Sequence, residues 1–142
     1  MNARVLLVDD EAEFVEALAE RLDVRDFKVG IAFNGDEALE KIKEEEFDVV
    51  ILDVVMPGRS GIETLQEIKR LKPLIEVIML TGHATVETAI EGMKVGAFDY
   101  LKKPTEMDDL VDKITKARSR KAEHEERIRQ AEIGTIIRRK GW

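Results

Sequence analysis

The sequence predicts a three-layer α/β sandwich around a five-stranded parallel sheet. Two observations carry that expectation. Residues 5–8, 49–52 and 77–80 are uninterrupted apolar runs, the pattern of strands buried on both faces. Between them, apolar residues recur at spacings of three and four, the pattern of amphipathic helices. Helices alternating with strands imply right-handed crossovers, a parallel sheet and a helical layer on each face.

The elements follow in order. Val5-Leu6-Leu7-Val8 is the first strand, ending in Asp9-Asp10-Glu11. Phe14, Leu18 and Leu22, flanked by Val15 and Ala19, mark the first helix. Residues 28–33 form a second strand, broken by Asn34-Gly35. Ala38, Leu39 and Ile42 mark the second helix, with Glu44-Glu45-Glu46 near its end, and Val49-Val50-Ile51-Leu52 is the third strand. Pro57-Gly58 breaks the chain, and Ser60-Gly61-Ile62-Glu63 fits a capping box that opens a helix with Ile62, Leu65, Ile68 and Leu71 inward. Val77-Ile78-Met79-Leu80 is the fourth strand, closed by Thr81-Gly82. Val86, Ala89, Ile90 and Met93 make a fourth helix ending near Gly96. Residues 98–101 form a short fifth strand that Pro104 stops. Thr105 is positioned to cap a last helix begun by Met107, Leu110, Val111 and Ile114. Five strands are too few for a closed eight-fold barrel, so an open flavodoxin-like sheet in the order 2-1-3-4-5 is expected.

Composition narrows the function classes. The 142 residues include no cysteine, which removes disulfides, thiolate metal sites and thiol nucleophiles. No apolar run approaches the roughly 20 residues of a membrane span, and acids appear before a signal-peptide core can form. The expected compartment is the cytoplasm. The chain carries 23 basic and 30 acidic residues, net −7. Residues 118–142 hold eight basic and four acidic side chains, leaving 15 basic against 26 acidic in residues 1–117. So acidic a body repels nucleic acid, and the mixed charges of the tail read as a solvated helix face.

In an open α/β sheet, ligands bind beyond the carboxyl ends of the strands, near the point where strand order reverses. The first strand delivers Asp9, Asp10 and Glu11 there, and the third delivers Asp53. The fourth delivers Thr81, and the fifth Lys102 and Lys103. Taken singly, each is an ordinary turn residue. Jointly, on these strands, they describe a site. Three converging carboxylates remain ionised only around a cation, and oxygen donors select a hard one such as Mg²⁺. With one ammonium added the site is neutral. A hydroxyl and an ammonium then suit a phosphoryl group on its other side.

Other phosphate chemistries fit poorly. The turn after the first strand is Asp-Asp-Glu, not the glycine-rich loop of a P-loop or dinucleotide site, and it opposes a flavin phosphate. An EF-hand loop is absent. A haloacid dehalogenase-type phosphatase with an aspartate nucleophile is the runner-up, but it places a second Asp two residues after the first. Here Val55 follows Asp53 and Ala12 follows Asp10.

Four segments in this order and spacing resemble bacterial two-component response-regulator receiver domains, over roughly residues 3–117. They are Val5-Leu6-Leu7-Val8-Asp9-Asp10-Glu11, Asp48-Val49-Val50-Ile51-Leu52-Asp53-Val54-Val55-Met56-Pro57-Gly58, Met79-Leu80-Thr81-Gly82-His83-Ala84 and Gly96-Ala97-Phe98-Asp99-Tyr100-Leu101-Lys102-Lys103-Pro104. The last two are most similar to receivers of nitrogen-regulatory, enhancer-binding activators.

The resemblance implies roles. Asp53 is the expected phosphoacceptor. Asp10, Asp53 and the Val55 backbone carbonyl are expected to bind Mg²⁺ directly, and Asp9 mainly through a metal-bound water. Lys103, followed by a cis proline bond, is expected to pair with the phosphoryl group, with Lys102 pointing away. Thr81 is expected to bond a phosphoryl oxygen, and Tyr100 to change exposure with it. Gly82 keeps bulk from the site, and Gly58 and Gly61 flank a loop able to move. Val55 and His83 are expected to flank the approach of the hydrolytic water. The implied function is phosphorelay signalling: a histidine kinase or histidine phosphotransfer protein supplies the phosphoryl group, and the surface of the fourth helix, fifth strand and fifth helix responds. No enzymatic turnover is implied beyond self-catalysed phosphotransfer and slow self-dephosphorylation.

The expected organisation is a receiver over residues 1–117 and a charged extension over residues 118–142. The extension reads as helical to about residue 133, ended by Gly134, and loosely ordered from Thr135 to Trp142. No output domain fits after residue 117, so the chain reads as a stand-alone receiver or a piece of a longer regulator. Ile128 and Ala131, with Ile133, Ile136 and Ile137, give the extension apolar surface suited to self-association. The extension has two readings, a surface for a homodimer or partner and a disordered linker remnant; a homodimer could also form through the responding surface, and no nucleic-acid or membrane contact by this domain is expected.

Overall fold

The structure, a computed structural model, describes residues 3–82 and 85–139. Strands and helices alternate as β1 (Arg4–Val8), α1 (Ala12–Val24), β2 (Lys28–Ala32), α2 (Gly35–Glu44), β3 (Val49–Leu52), α3 (Gly61–Leu71), β4 (Glu76–Thr81), α4 (Val86–Lys94), β5 (Asp99–Lys102) and α5 (Met107–Arg139). All four strand pairings are parallel, and the order is β2-β1-β3-β4-β5, as expected. The second and fifth strands lie within a residue of their expected bounds.

The two-residue period of a strand divides the core. Leu6, Val8, Val50, Leu52, Val77 and Met79 point to one face, under Ala38, Leu39 and Ile42 of α2 and Leu65 and Ile68 of α3. Val5, Leu7, Val49, Ile51, Ile78 and Leu80 point to the other, under Val15, Leu18 and Leu22 of α1 and Leu110, Ile114 and Ala117 of α5. The central strands are buried on both faces, which is why they read as unbroken apolar runs.

Helix ends follow local chemistry. At α3, Ser60 Oγ accepts from Glu63 N at 3.2 Å, but the Glu63 carboxylate takes the Ser60 hydroxyl, so only part of the expected capping box forms. The reciprocal box stands at α4: Thr88 N donates to Thr85 Oγ1 at 3.1 Å, and Thr85 N to Thr88 Oγ1 at 2.9 Å. Gly96, at φ +111°, closes α4 with the bond Ala97 N to Gly92 O at 2.9 Å, a Schellman ending that a left-handed glycine permits. The last helix starts at Met107, past Thr105.

The extension departs from expectation. Gly134 does not end α5, and residues 135–139 are helical rather than loosely ordered; residues 140–142 lie outside the described residues. One interior glycine costs only about 1 kcal/mol, which a helix secured elsewhere absorbs. The Lys121–Glu125 and Arg127–Glu123 pairs and the Arg129–Glu126 pair run along it. Its base is secured to the sheet. Lys121 Nζ lies 3.3 Å from Asp48 Oδ1, just before β3, and Arg120 Nε lies 3.1 Å from the buried Glu76 Oε2 at the start of β4. Burial opposes the Lys121 ammonium, but Glu125 and Asp48 outweigh it and hold its pKa above the ordinary lysine value. This contribution is full below the ordinary lysine pKa and is lost only as pH rises through the raised one.

The fourth helix hides little. Ala89 and Gly92 are its buried residues, while Val86, Ile90 and Met93 face solvent. A Cβ on Gly92 would meet the Met79 sulfur at 2.5 Å, so the Met79 side chain fills the space that a larger residue there would need.

The Asp48–Lys121 contact yields a prediction. Lys121→Ala should cost about 1 kcal/mol, because Asp48 loses its nearest cation and keeps only Arg118 at 3.8 Å and the Arg4 amide. Hydrogen exchange of residues 118–139 should accelerate while that of β1 and β3 does not. Unchanged exchange there would show that the helix holds without the ion pair.

Candidate functional site

The site forms at the carboxyl edge of the sheet, where the chain leaves β1 toward α1 and β3 toward α3. Three of its residues are fixed by ladder bonds that continue one step past the strands. Asp9 N donates to Ala32 O at 3.1 Å, Asp53 N to Val8 O at 3.0 Å, and Lys103 N to Thr81 O at 2.9 Å. Their side chains therefore leave from backbone as rigid as the sheet.

Asp9, Asp10 and Asp53 each place a carboxylate oxygen within 4.8 Å of the others. Asp9 is 4% and Asp53 3% exposed, whereas Asp10 is open to solvent. Each buried carboxylate also takes a backbone donor from the following turn: Glu11 N reaches Asp9 Oδ1 at 2.9 Å, and Val55 N reaches Asp53 Oδ1 at 3.3 Å. Lys103 Nζ lies 2.7 Å from Asp9 Oδ2, 3.1 Å from Glu11 Oε1 and 3.8 Å from Asp53 Oδ2. It also sits 4.2 Å from the centre of the Phe14 ring.

Burial pushes the Asp9 carboxyl above its ordinary pKa, although Lys103 and the Glu11 amide pull it back, and Asp53 adds to the rise. Burial also opposes the Lys103 ammonium, but the hydrogen bonds it donates to Asp9 and Glu11 prevail and raise its pKa. One ammonium does not neutralise this many carboxylates. The cluster fits a hard divalent cation in charge and in donor type, with Asp10 as the solvent-side ligand.

Thr81 is buried at the end of β4, and the Lys103–Pro104 bond is cis. Lys102 is exposed, as expected for the neighbour that points away. Tyr100 is 41% exposed and borders a shallow apolar groove with Val86, Ala89, Ile90 and Met93 of α4. The Val55 side chain is 53% exposed at the mouth of the site. His83 lies outside the described residues.

Gly61 holds the acceptor loop close. Its N–H donates to Val54 O at 2.8 Å, and a Cβ there would lie 2.4 Å from Asp53 O and 2.5 Å from Val54 Cα. Gly61, expected to flank a movable loop, brings α3 so close to the Asp53 backbone that no side chain fits. Glu11 and Phe14, to which the sequence assigns no specific partner, both lie against Lys103. Glu11 was visible only as the third acid of a run, and Phe14 only as part of a core stripe.

Comparison with known proteins decides the family. The model of the response regulator receiver domain matches residues 5–115. The chain belongs to the response-regulator receiver family. It is 42% identical over 116 residues to the transcriptional regulatory protein ZraR of Escherichia coli (strain K12), which covers 82% of this chain and 26% of that protein. It is 38% identical over 115 residues to an NtrX-like response regulator of Rickettsia conorii, covering 80% of this chain and 24% of that protein. The chain thus spans about a quarter of the length of these relatives. Among solved structures, a CheY-like receiver from Methanospirillum hungatei superposes with TM-score 0.83 at 30% identity, covering 87% of this chain and 99% of that one. NtrX from Brucella abortus gives TM-score 0.83 at 32% identity, covering 89% and 29%. The phosphatase alternative has no support in these matches, and the open side chain of Val55 stands where that chemistry needs a second carboxylate.

Like charge at the site predicts a stability effect. In metal-free buffer Asp10→Asn should stabilise the protein by about 1 kcal/mol, roughly 3 °C in Tm, by removing one repelling carboxylate. The same substitution should weaken the rise in Tm that Mg²⁺ gives the parent protein. Equal Mg²⁺ responses in the two would remove Asp10 from the cation site.

Proposed function

We propose that this domain takes a phosphoryl group from a phosphohistidine donor onto Asp53, with Mg²⁺ held by Asp10, Asp53 and the Val55 carbonyl and, through water, by Asp9. The observation that carries this reading is the position of Asp53: buried, fixed by the Val8 bond, its carboxylate within the acidic cluster and 3.8 Å from Lys103. The cation, when bound, screens the carboxylates and offers charge to the incoming phosphoryl oxygens.

The protein's own groups do the rest. An Asp53 carboxylate oxygen attacks phosphorus in line with the donor imidazole. The P–N bond breaks as the P–O bond forms, and the imidazole nitrogen leaves with the electron pair and takes up a proton. Lys103 and the Thr81 hydroxyl receive the phosphoryl oxygens. Phosphorylation replaces one negative charge by about two. Lys103 is already paired with Asp9 and Glu11, so it must redistribute its bonds rather than gain a first partner. Thr81 moves with the new acceptor, and Tyr100 follows it inward from the α4 groove. The exposed Val86, Ile90 and Met93, with the groove that Tyr100 leaves, then form the responding surface, for a partner or a second copy.

The donor is a sensor histidine kinase or a histidine phosphotransfer protein, and the setting is cytoplasmic. No helix among the described residues is long and apolar enough to cross a membrane. The acidic body leaves nucleic-acid contact to other segments. The domain is residues 1–117, and the remainder of α5 carries its signal onward.

With Mg²⁺ and acetyl phosphate, the chain should gain one phosphoryl adduct and Asp53→Asn none, as read by intact mass. A full-yield adduct on Asp53→Asn would refute the assignment.

Signal lifetime follows from Val55. Hydrolysis needs a water in line with phosphorus, and valine neither donates nor accepts a hydrogen bond to place it. The barrier should stand about 1–2 kcal/mol above that with a well-placed amide, or roughly 5–30-fold in rate. Phospho-Asp53 should therefore last many minutes, and Val55→Asn should shorten its decay by that factor. Loss within seconds from the parent protein would contradict the role of Val55.

A further inference from the structure

We propose that Glu11 is a positioning residue for Lys103, holding the ammonium on the Asp9 side of the site until a phosphoryl group on Asp53 draws it away. The inference rests on the reading of Asp53 as acceptor and Lys103 as its cationic partner.

Glu11 occupies the N-cap of α1, yet its side chain makes no capping bond. The N-cap side chains of α2, α3 and α4 (Asn34, Ser60 and Thr85) all accept from their own first turns. Short polar side chains suit that position, and glutamate is too long for it. The Glu11 carboxylate is directed instead to Lys103, 92 residues away, at 3.1 Å. Its backbone meanwhile donates to Asp9 Oδ1 at 2.9 Å, while Lys103 donates to Asp9 Oδ2 at 2.7 Å. Glu11, Asp9 and Lys103 thus close a ring of three contacts.

The ring sets where the ammonium rests. Lys103 has three N–H donors, and two are taken by Asp9 and Glu11. Asp53 Oδ2, at 3.8 Å, lies beyond hydrogen-bond reach. The Phe14 ring, three residues after Glu11 on the same helix, stands 4.2 Å from Nζ as a cation–π partner. A phosphoryl group on Asp53 offers new acceptors on the remaining side. Of the present carboxylate partners, Asp9 is buried, but the Glu11 side chain is 62% exposed. An exposed ion pair is the weaker of the two and is the contact that yields. Glu11 therefore sets how readily Lys103 changes partners.

Beryllofluoride with Mg²⁺, a mimic of the aspartyl phosphate, tests this without chemistry, read by ¹⁹F NMR titration of the full chain. Glu11→Gln should bind it about two- to five-fold tighter than the parent protein, with an unchanged Tm. Glu11→Asp keeps the charge but is too short to reach Lys103, so it should tighten binding similarly. Glu13→Gln removes a nearby acid not in the ring and should leave the affinity unchanged. If Glu11→Asp binds as the parent does, or Glu13→Gln tightens binding as much as Glu11→Gln, the effect is one of general charge and the proposal is wrong. Failure of the parent protein to bind the probe would overturn the reading of the site itself. Parent binding with both Glu11 variants unaltered would overturn this inference alone.

Discussion

Three carboxylates whose oxygens approach within 4.8 Å are the constraint around which the domain is organised. Charges so close repel unless a cation stands among them, and burying two of them sharpens the repulsion. A flexible loop would let them separate. Here they cannot, because Asp9 and Asp53 hang from ladder bonds of β1 and β3, and both strands are packed on two faces. The hydrophobic core, with the Lys103 ammonium beside Asp9 and Asp53, thus holds an arrangement that the carboxylates alone would disperse. The stored repulsion makes the site responsive: a cation or a change of charge at Asp53 alters a balance that rigid backbone cannot relieve by drifting.

Most of the fold was legible because its signals are strong and local. Doubly buried strands give unbroken apolar runs, and alternation with helices leaves few topologies. The principal site residues were legible for a related reason. They stand at the carboxyl ends of the strands, so finding the strands also located Asp9, Asp53, Thr81 and Lys103. What stayed hidden depends on distance rather than pattern. Val86, Ile90 and Met93 have helical spacing, and nothing in that spacing says whether the stripe faces the core. The answer lies with Gly92 and Ala89, the helix's buried residues, with the Met79 side chain of β4 filling the space beside Gly92. Gly61 was hidden in the same way, since its contact with the Asp53 backbone appears only in three dimensions. Gly134 misled because a helix breaker in sequence is a modest cost to a helix anchored upstream by Asp48 and Glu76.

Those two anchors share an arrangement with the site. The residue before β3 is Asp48 and the residue after it is Asp53; β4 begins at Glu76 and ends at Thr81. The two strands that carry Asp53 and Thr81 therefore grip the base of the α5 extension at their opposite ends, through Lys121 and Arg120. These contacts also fix the direction in which residues 122–139 leave the body.

The exposed stripe of α4 and the buried cluster are joined by a short path. Thr81 ends β4, Lys103 N bonds Thr81 O, and Tyr100 sits three residues before Lys103 on β5. On the proposed function, a shift of Thr81 toward a new acceptor would act on the edge strand that carries Tyr100, beside the sparsely buried α4. Edge position and sparse burial make β5 and α4 the elements least costly to rearrange. The stiff centre of the sheet defines the site, and the lightly packed edge beside it is where the proposed switch would reach the surface. Both properties come from one asymmetry: α1, α2, α3 and α5 bring leucine, isoleucine and valine to the sheet, whereas α4 brings alanine and glycine.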